Sequence, residues 1–131
     1  MTLEDLNSCR ALQIQIGTVT NHLAGLRMSA ANLVPILDGM PHSKEAKSRV
    51  ERIALEIIED ECELTALQSE YELAKARLTD KILLEVSDPV IQTLLVLRYV
   101  ECCSFRETAR RINYSLRQVF RLHETFLKLS Q

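Results

Sequence analysis

Between Ser104 and Glu124 the chain spaces arginines and short polar residues in a way that suits recognition of a polyanion. Arg106, Arg110 and Arg111 lie close together, and Arg117 and Arg121 stand one helical turn apart with Gln118 beside them. An arginine presents a planar fork of N–H donors that matches a phosphate or the edge of guanine, and a glutamine amide matches adenine. Two short strings frame these side chains. Ser104-Phe105-Arg106-Glu107 and Ser115-Leu116-Arg117-Gln118 each read as a capping box, in which the serine and the Glu or Gln satisfy each other's unpaired backbone donors at a helix start. Asn113-Tyr114 supplies the turn between them, because Asn tolerates the left-handed conformation needed there. Two capped helices joined by so short a turn, with Ala109 small enough for close approach, form a helix-turn-helix pattern. In that motif the start of the second helix faces base edges. Leu116, Arg117, Phe120 and Arg121 occupy that place, with Gln118 alongside and Glu124 a turn further on. Arg106, Arg110 and Arg111 sit on the preceding helix, where contacts to phosphate position a protein rather than confer specificity.

The charge distribution agrees. A net charge of −2 hides a division: residues 1–97 carry −6, and residues 98–131 carry +4. A basic half on an otherwise acidic chain is expected to meet a polyanion. Chemistry of other kinds finds little to work with. There is no glycine-rich phosphate loop and no Ser or Cys placed with His and Asp, so an enzyme is not expected. His22, His42 and His123 are scattered, and no cofactor or metal is expected. His123, beside Leu122 on an amphipathic stretch, reads as a packing or phosphate-contacting residue. Cys9, Cys62, Cys102 and Cys103 form no CxxC pair and read as reduced, mostly buried side chains. No run approaches the eighteen apolar residues of a membrane span. Glu4 and Asp5 stand where a signal peptide would be positive, so a cytoplasmic location is expected.

The elements that must carry this unit read as helices throughout. Aromatic residues are 5% of the chain, Gly and Pro number three each, and Leu, Glu, Arg, Ala and Gln dominate, so the expected class is all-α. From Thr2 to Val34 the apolar positions Cys9, Leu12, Ile16, Val19, Leu23, Leu26, Ala30 and Leu33 step three, four, three, four, as in a coiled-coil seam. Pro35, Gly39, Pro41 and Ser43 predict a break, with a mobile loop over Pro35–His42. A second seam runs through Val50, Ile53, Ile57, Leu64, Leu67, Tyr71, Ala74 and Leu78, interrupted at Asp60 and Glu61. The acidic run Glu56–Glu63 reads as a solvated face, with a contact surface for a basic partner as the alternative. Two seams joined by a short loop predict a long antiparallel coiled-coil hairpin over residues 1–86. So thin a hairpin invites self-association as a homodimer, to which Ile14, Met28 and Ile58, off the main seam, could contribute. Ser87-Asp88-Pro89 restarts the chain with a helix to about Val100, and residues 87–131 form the second expected domain. The last helix is expected to bury Val119, Leu122, Phe126 and Leu129.

From Leu94 onward the string LLVLRYVECCSFRETARRINYSLRQVFRLHETFLKL resembles region 4 of bacterial sigma factors of the sigma-70 type. It is most similar to the small phage- and prophage-encoded regulators of Gram-positive bacteria with a sigma-region-4-like end, the ArpU/RinA-like late-gene activators. The resemblance covers Pro89–Gln131, and it is only architectural before that. It implies a transcription regulator that binds double-stranded promoter DNA through Leu116, Arg117 and Arg121, with Ser104 and Ser115 near phosphates at helix starts. It also implies RNA polymerase as a partner. Leu116 and Phe120 replace the polar and basic residues usual in the family, and apolar contact with thymine methyls is the alternative for them. A reading of a different class is a protein-interaction module, which would dock on RNA polymerase or another protein through the C-terminal unit or the acidic hairpin without specific DNA binding.

Overall fold

The structure, a computed structural model, describes residues 1–38 and 44–129, with side chains described for 1–33 and 48–129. Among the described residues every regular element is helical: α1 (Leu3–Asp38), α2 (Lys44–Glu85), α3 (Pro89–Leu95) running on into a π-helical turn (Val96–Val100), α4 (Phe105–Ile112) and α5 (Leu116–Leu129). The chain is all-α, as its composition predicts. The break expected at Pro35 is corrected: α1 continues through it to Asp38. Proline removes one backbone donor and crowds the preceding turn, but its fixed φ is itself helical, and near a helix end only the last turn depends on the missing bond. Residues 39–42 of the expected loop lie outside the described residues.

The chain divides into two compact units, one of Met1–Gln13 with Glu70–Gln131 and one of Ile14–Ser69. In the second, the three-four spacing translates directly into burial. Ile16, Val19, Leu26, Ala30 and Leu33 of α1 are half-buried and Leu23 is buried, while Ile53, Ile57, Leu64 and Leu67 of α2 are half-buried. The interruption in the α2 seam is filled by Asp60 itself, whose side chain is 14% exposed and hydrogen-bonds His22 Nδ1. One residue on, Glu61 pairs with Arg27 at 3.1 Å. The acidic run is therefore not wholly a solvated face: two of its members neutralise the only cationic or titrating side chains that α1 offers between Ile14 and Leu33. Glu59 and Glu63 remain exposed.

The first unit holds the larger core. Leu6 and Cys9 of α1 and Leu78 and Ile82 of α2 join Val86, Leu94, Leu95, Tyr99, Val100, Ala109, Val119 and Phe126 in one cluster. Lys81 reaches Asp5 at 2.9 Å, and Thr2 and Asp5 cap the start of α1 reciprocally at 3.0 and 3.2 Å. Together these hold the Asp5 carboxyl down to about 2, with Lys81 the largest cause. Asp88 caps α3 by accepting from the Val90 amide at 2.9 Å, with Pro89 at the first helical position. The residue pattern does not predict the π turn that follows. Its bond runs from Glu101 N–H to Val96 C=O at 2.9 Å, one residue longer than an α-helical bond. The reason lies in the core. Leu94 and Leu95 are buried, and so are Tyr99 and Val100, five positions later. A plain α-helix at 100° per residue would carry the second pair about 140° away from the first, and the wider turn brings both onto one face.

Candidate nucleic-acid interface

α3 packs on both α4 and α5, and α4 packs on α5, so the three short helices form one bundle that fixes the polar residues on its outside. Ser104 starts α4, its Oγ accepting from the Glu107 amide at 3.1 Å. The return half of the expected box is replaced: Glu107 Oε1 accepts instead from Arg110 Nη2 at 2.7 Å and Arg111 Nε at 3.3 Å. Charge-assisted bonds to two guanidinium groups outweigh one bond to a neutral amide. They also hold the Glu107 carboxyl below its ordinary range, Arg110 contributing most. Thr108 is buried, and its hydroxyl donates to the Ser104 carbonyl at 2.9 Å.

Asn113 ends α4 in the left-handed conformation, with φ 60°. Its amide donates to Arg110 C=O at 3.3 Å, and the Tyr114 amide donates to Ala109 C=O at 3.0 Å, which is the paired closure of a Schellman motif. α5 opens with the complete box: the Gln118 amide donates to Ser115 Oγ at 3.2 Å, and the Ser115 amide donates to Gln118 Oε1 at 2.9 Å. Val119 and Phe126 are buried beneath it and Leu122 is half-buried, but Leu129, expected on the inner face, is 80% exposed. It sits in the last turn of α5, past Phe126, the last fully buried residue of the helix.

The outer surfaces follow from these phases. On α4, Arg106 and Arg110 point away from buried Thr108 and Ala109, with Arg111 beside them. On α5, Arg117, Arg121 and Glu124 occupy the face opposite Val119, and all three are exposed. Glu124 is engaged by Lys128 at 3.3 Å. Arg106, Arg117 and Arg121 have no acidic partner among the described residues. Of the eleven candidate residues, Ser104, Arg106, Arg110, Arg111, Ser115, Arg117, Arg121 and Glu124 are exposed on the outer sides of α4 and α5 or at their starts.

The other three are placed differently. Leu116 is half-buried, about 60° around α5 from buried Val119, rather than on the outer face. Gln118 is exposed, but its carbonyl oxygen is committed to the cap, which removes the acceptor that a bidentate contact to adenine requires. Phe120 is 47% exposed, and its ring packs on Phe105 at 4.9 Å. Phe105 continues the set to His123 at 5.0 Å, and His123 stacks on Tyr99 and hydrogen-bonds its hydroxyl. Of the two roles expected for His123, the structure shows packing. Burial first, and Arg98 second, push its pKa below the ordinary value.

Arg98, counted in the basic segment, is half-buried. Its guanidinium lies 4.2 Å from the Phe105 ring centroid and donates to the Cys103 carbonyl at 2.9 Å. The left-handed Cys102, φ 56°, turns the chain there. Cys9 is buried and Cys102 and Cys103 are half-buried as expected, whereas Cys62 is exposed; all four are free thiols. Among the described residues no three His, Cys, Asp or Glu side chains gather as a metal site, and no helix is long and apolar enough to cross a membrane.

Comparison of the chain with protein-family models, with curated proteins and with solved structures finds no match. The functional reading rests on the bundle itself and on the resemblance of its sequence.

Proposed function

We propose that α4, the turn at Asn113 and α5 act as a helix-turn-helix that binds double-stranded DNA, and that the chain is a transcription regulator of the phage sigma-region-4-like kind working in the cytoplasm. One observation carries the reading. Arg117 and Arg121 stand side by side at the capped start of α5, exposed and without an acidic partner among the described residues, where the motif presents base-reading side chains. Around them the arginines of α4 supply phosphate contacts. The Ser104 and Ser115 hydroxyl oxygens accept from helix amides, which leaves each O–H free to donate to a phosphate oxygen. α1 and α2 form an antiparallel coiled-coil hairpin through which the chain dimerises, so that two bundles address two half-sites. RNA polymerase as a second partner is supported by the resemblance alone.

Selection of bound duplexes from a random pool, followed by fluorescence anisotropy on the winners, tests the reading. Arg117→Ala and Arg121→Ala should each cost about 1–3 kcal/mol and relax the preferred sequence, whereas Arg106→Ala should weaken all duplexes alike. A chain that binds no duplex better than its own Arg117→Ala/Arg121→Ala double variant would end the proposal. Capture of RNA polymerase after nuclease treatment by such a chain would favour the interaction module instead.

A further inference from the structure

α1 holds two of the three glycines of the chain, Gly17 and Gly25, well inside the helix. Glycine is the poorest helix former after proline. A side chain at either position would meet nothing within 4 Å, so no contact within the chain calls for their smallness. Between and around them, Ile14 and Met28 are 62% and 68% exposed, and Thr18, Asn21 and Ala24 are exposed as well. At 100° per residue these seven positions fall within an arc of about 120°, on the side away from Leu23 and the seam.

That face is free of charge. The two ionisable side chains of α1 in this stretch, His22 and Arg27, are both turned to acids of α2. The exposed surface of α2 differs in charge: Leu55 and Ile58 are exposed there too, at 62% and 56%, but among Glu51, Arg52, Glu59 and Glu63.

The order of residues on the face adds a second, independent argument. Ile14 lies seven residues before Asn21 and Met28 seven after it; Gly17 lies four before and Gly25 four after; Thr18 lies three before and Ala24 three after. Large apolar answers large apolar, glycine answers glycine, small answers small, and Asn21 answers itself. A twofold axis at Asn21 would set each residue against its counterpart in the other copy, so this order pairs Ile14 with Met28 and glycine with glycine.

We propose that the chain dimerises through the outer face of α1, two copies crossing antiparallel about a twofold axis at Asn21. Ile14 of each copy covers Met28 of the other, the glycines let the two backbones approach, and the two Asn21 amides exchange hydrogen bonds across the axis. A polar residue at the centre of an apolar contact fixes its register, as buried Asn does in paired helices. The proposal deepens the self-association named above and does not depend on DNA binding.

Sedimentation equilibrium on the full chain should give twice the 15.0 kDa chain mass. Gly17→Leu/Gly25→Leu should return the mass to that of one chain while circular dichroism shows equal or greater helicity, since leucine favours the helix and meets no neighbour. In a Cys62→Ser background, Asn21→Cys should close a disulfide with its own copy under oxidised glutathione, faster than Ile14→Cys or Met28→Cys does alone. Mixing the last two should link one to the other. A monomeric native chain, a glycine variant that stays dimeric, or Asn21→Cys closing no faster than Ile14→Cys overturns the proposal. Anisotropy with DNA, run on the same samples, separates the two readings. A monomer that binds DNA defeats only this one, and a dimer with this geometry that ignores DNA defeats only the other.

Discussion

Replacing Glu107 with glutamine should tighten DNA binding. Glu107 is the acid that pairs with the arginines of α4, its Oε1 accepting from both Arg110 at 2.7 Å and Arg111 at 3.3 Å. The arginines hold its pKa below the ordinary 4.5, so the charge is present throughout the range in which DNA binding is measured. Glutamine keeps an acceptor oxygen for the two guanidinium groups and removes the charge that competes with phosphate. Each additional phosphate neutralised on B-DNA steepens the slope of log affinity against log salt by about 0.9, which at 0.15 M salt, referred to 1 M, amounts to roughly a fivefold gain. The cost to the fold should be small. Exposed ion pairs are worth about 0–1 kcal/mol, and the Ser104 cap is made to the backbone of residue 107, not to its side chain. Anisotropy of a labelled duplex over a salt series reads both affinity and slope. An unchanged slope, or weaker binding at every salt concentration, would show that Arg110 and Arg111 do not lie on phosphate, and the placement of α4 against the backbone would be wrong.

Three further outcomes are expected. Asn113→Ala should cost about 1–2 kcal/mol in urea unfolding, because φ 60° is left-handed, while Asn113→Gly should be close to neutral; equal losses would show that the turn has another conformation. Leu95→Ala, at a position with no exposed surface, should cost about 2–5 kcal/mol by the same measurement, and a loss below 1 kcal/mol would argue against the shared core. The two histidines should respond to pH with opposite signs. His123 has its pKa lowered from 6.5 by burial and Arg98, so the unfolded chain takes up its proton first and the stability around α5 should fall as pH drops below about 6.5. His22 has its pKa raised by Asp60, so its contribution is complete below 6.5 and is lost as pH rises through the higher folded value. Amide exchange measured across that range should show α5 loosening and α1 near His22 tightening on acidification, and His123→Phe should remove the first trend only.

Much of this was legible in the residue pattern, for a physical reason. Long amphipathic helices state their buried side by spacing, so Ile16, Val19, Leu23, Leu26 and Leu33 could be named and are the withdrawn residues. Caps state themselves by residue type, hence Asp88, Ser104, Ser115 and Asn113. What escaped depends on partners remote in sequence. Asp60 breaks an apolar repeat when α2 is read alone and completes it once His22 stands opposite. Glu107 matches the capping pattern, yet two arginines one turn ahead bid for the same carboxylate. Gln118 looks like a base reader by type, and only its bond to Ser115 shows that it is occupied. Phe120 follows the same logic, since its ring packs on Phe105, a residue of the preceding helix. Proline at 35 signals a stop by residue type, but its backbone angle is helical and the helix passes through.

The π turn at Val96–Val100 has a consequence for tolerated chain length. Because Leu94–Leu95 and Tyr99–Val100 are five positions apart and share one core, α3 contains one residue more than an α-helix would need to bury both pairs. Deleting Val96 would leave the pairs four apart, on one face of an ordinary helix, whereas inserting a residue there would throw the second pair out of the core. The helix should therefore accept shortening and reject lengthening. Arg98 lies within that turn, with its guanidinium on the Phe105 ring next to the start of α4. A shortened chain should keep its fold and lose that brace, which would make the angle at which α4 and α5 are presented a property of one extra residue.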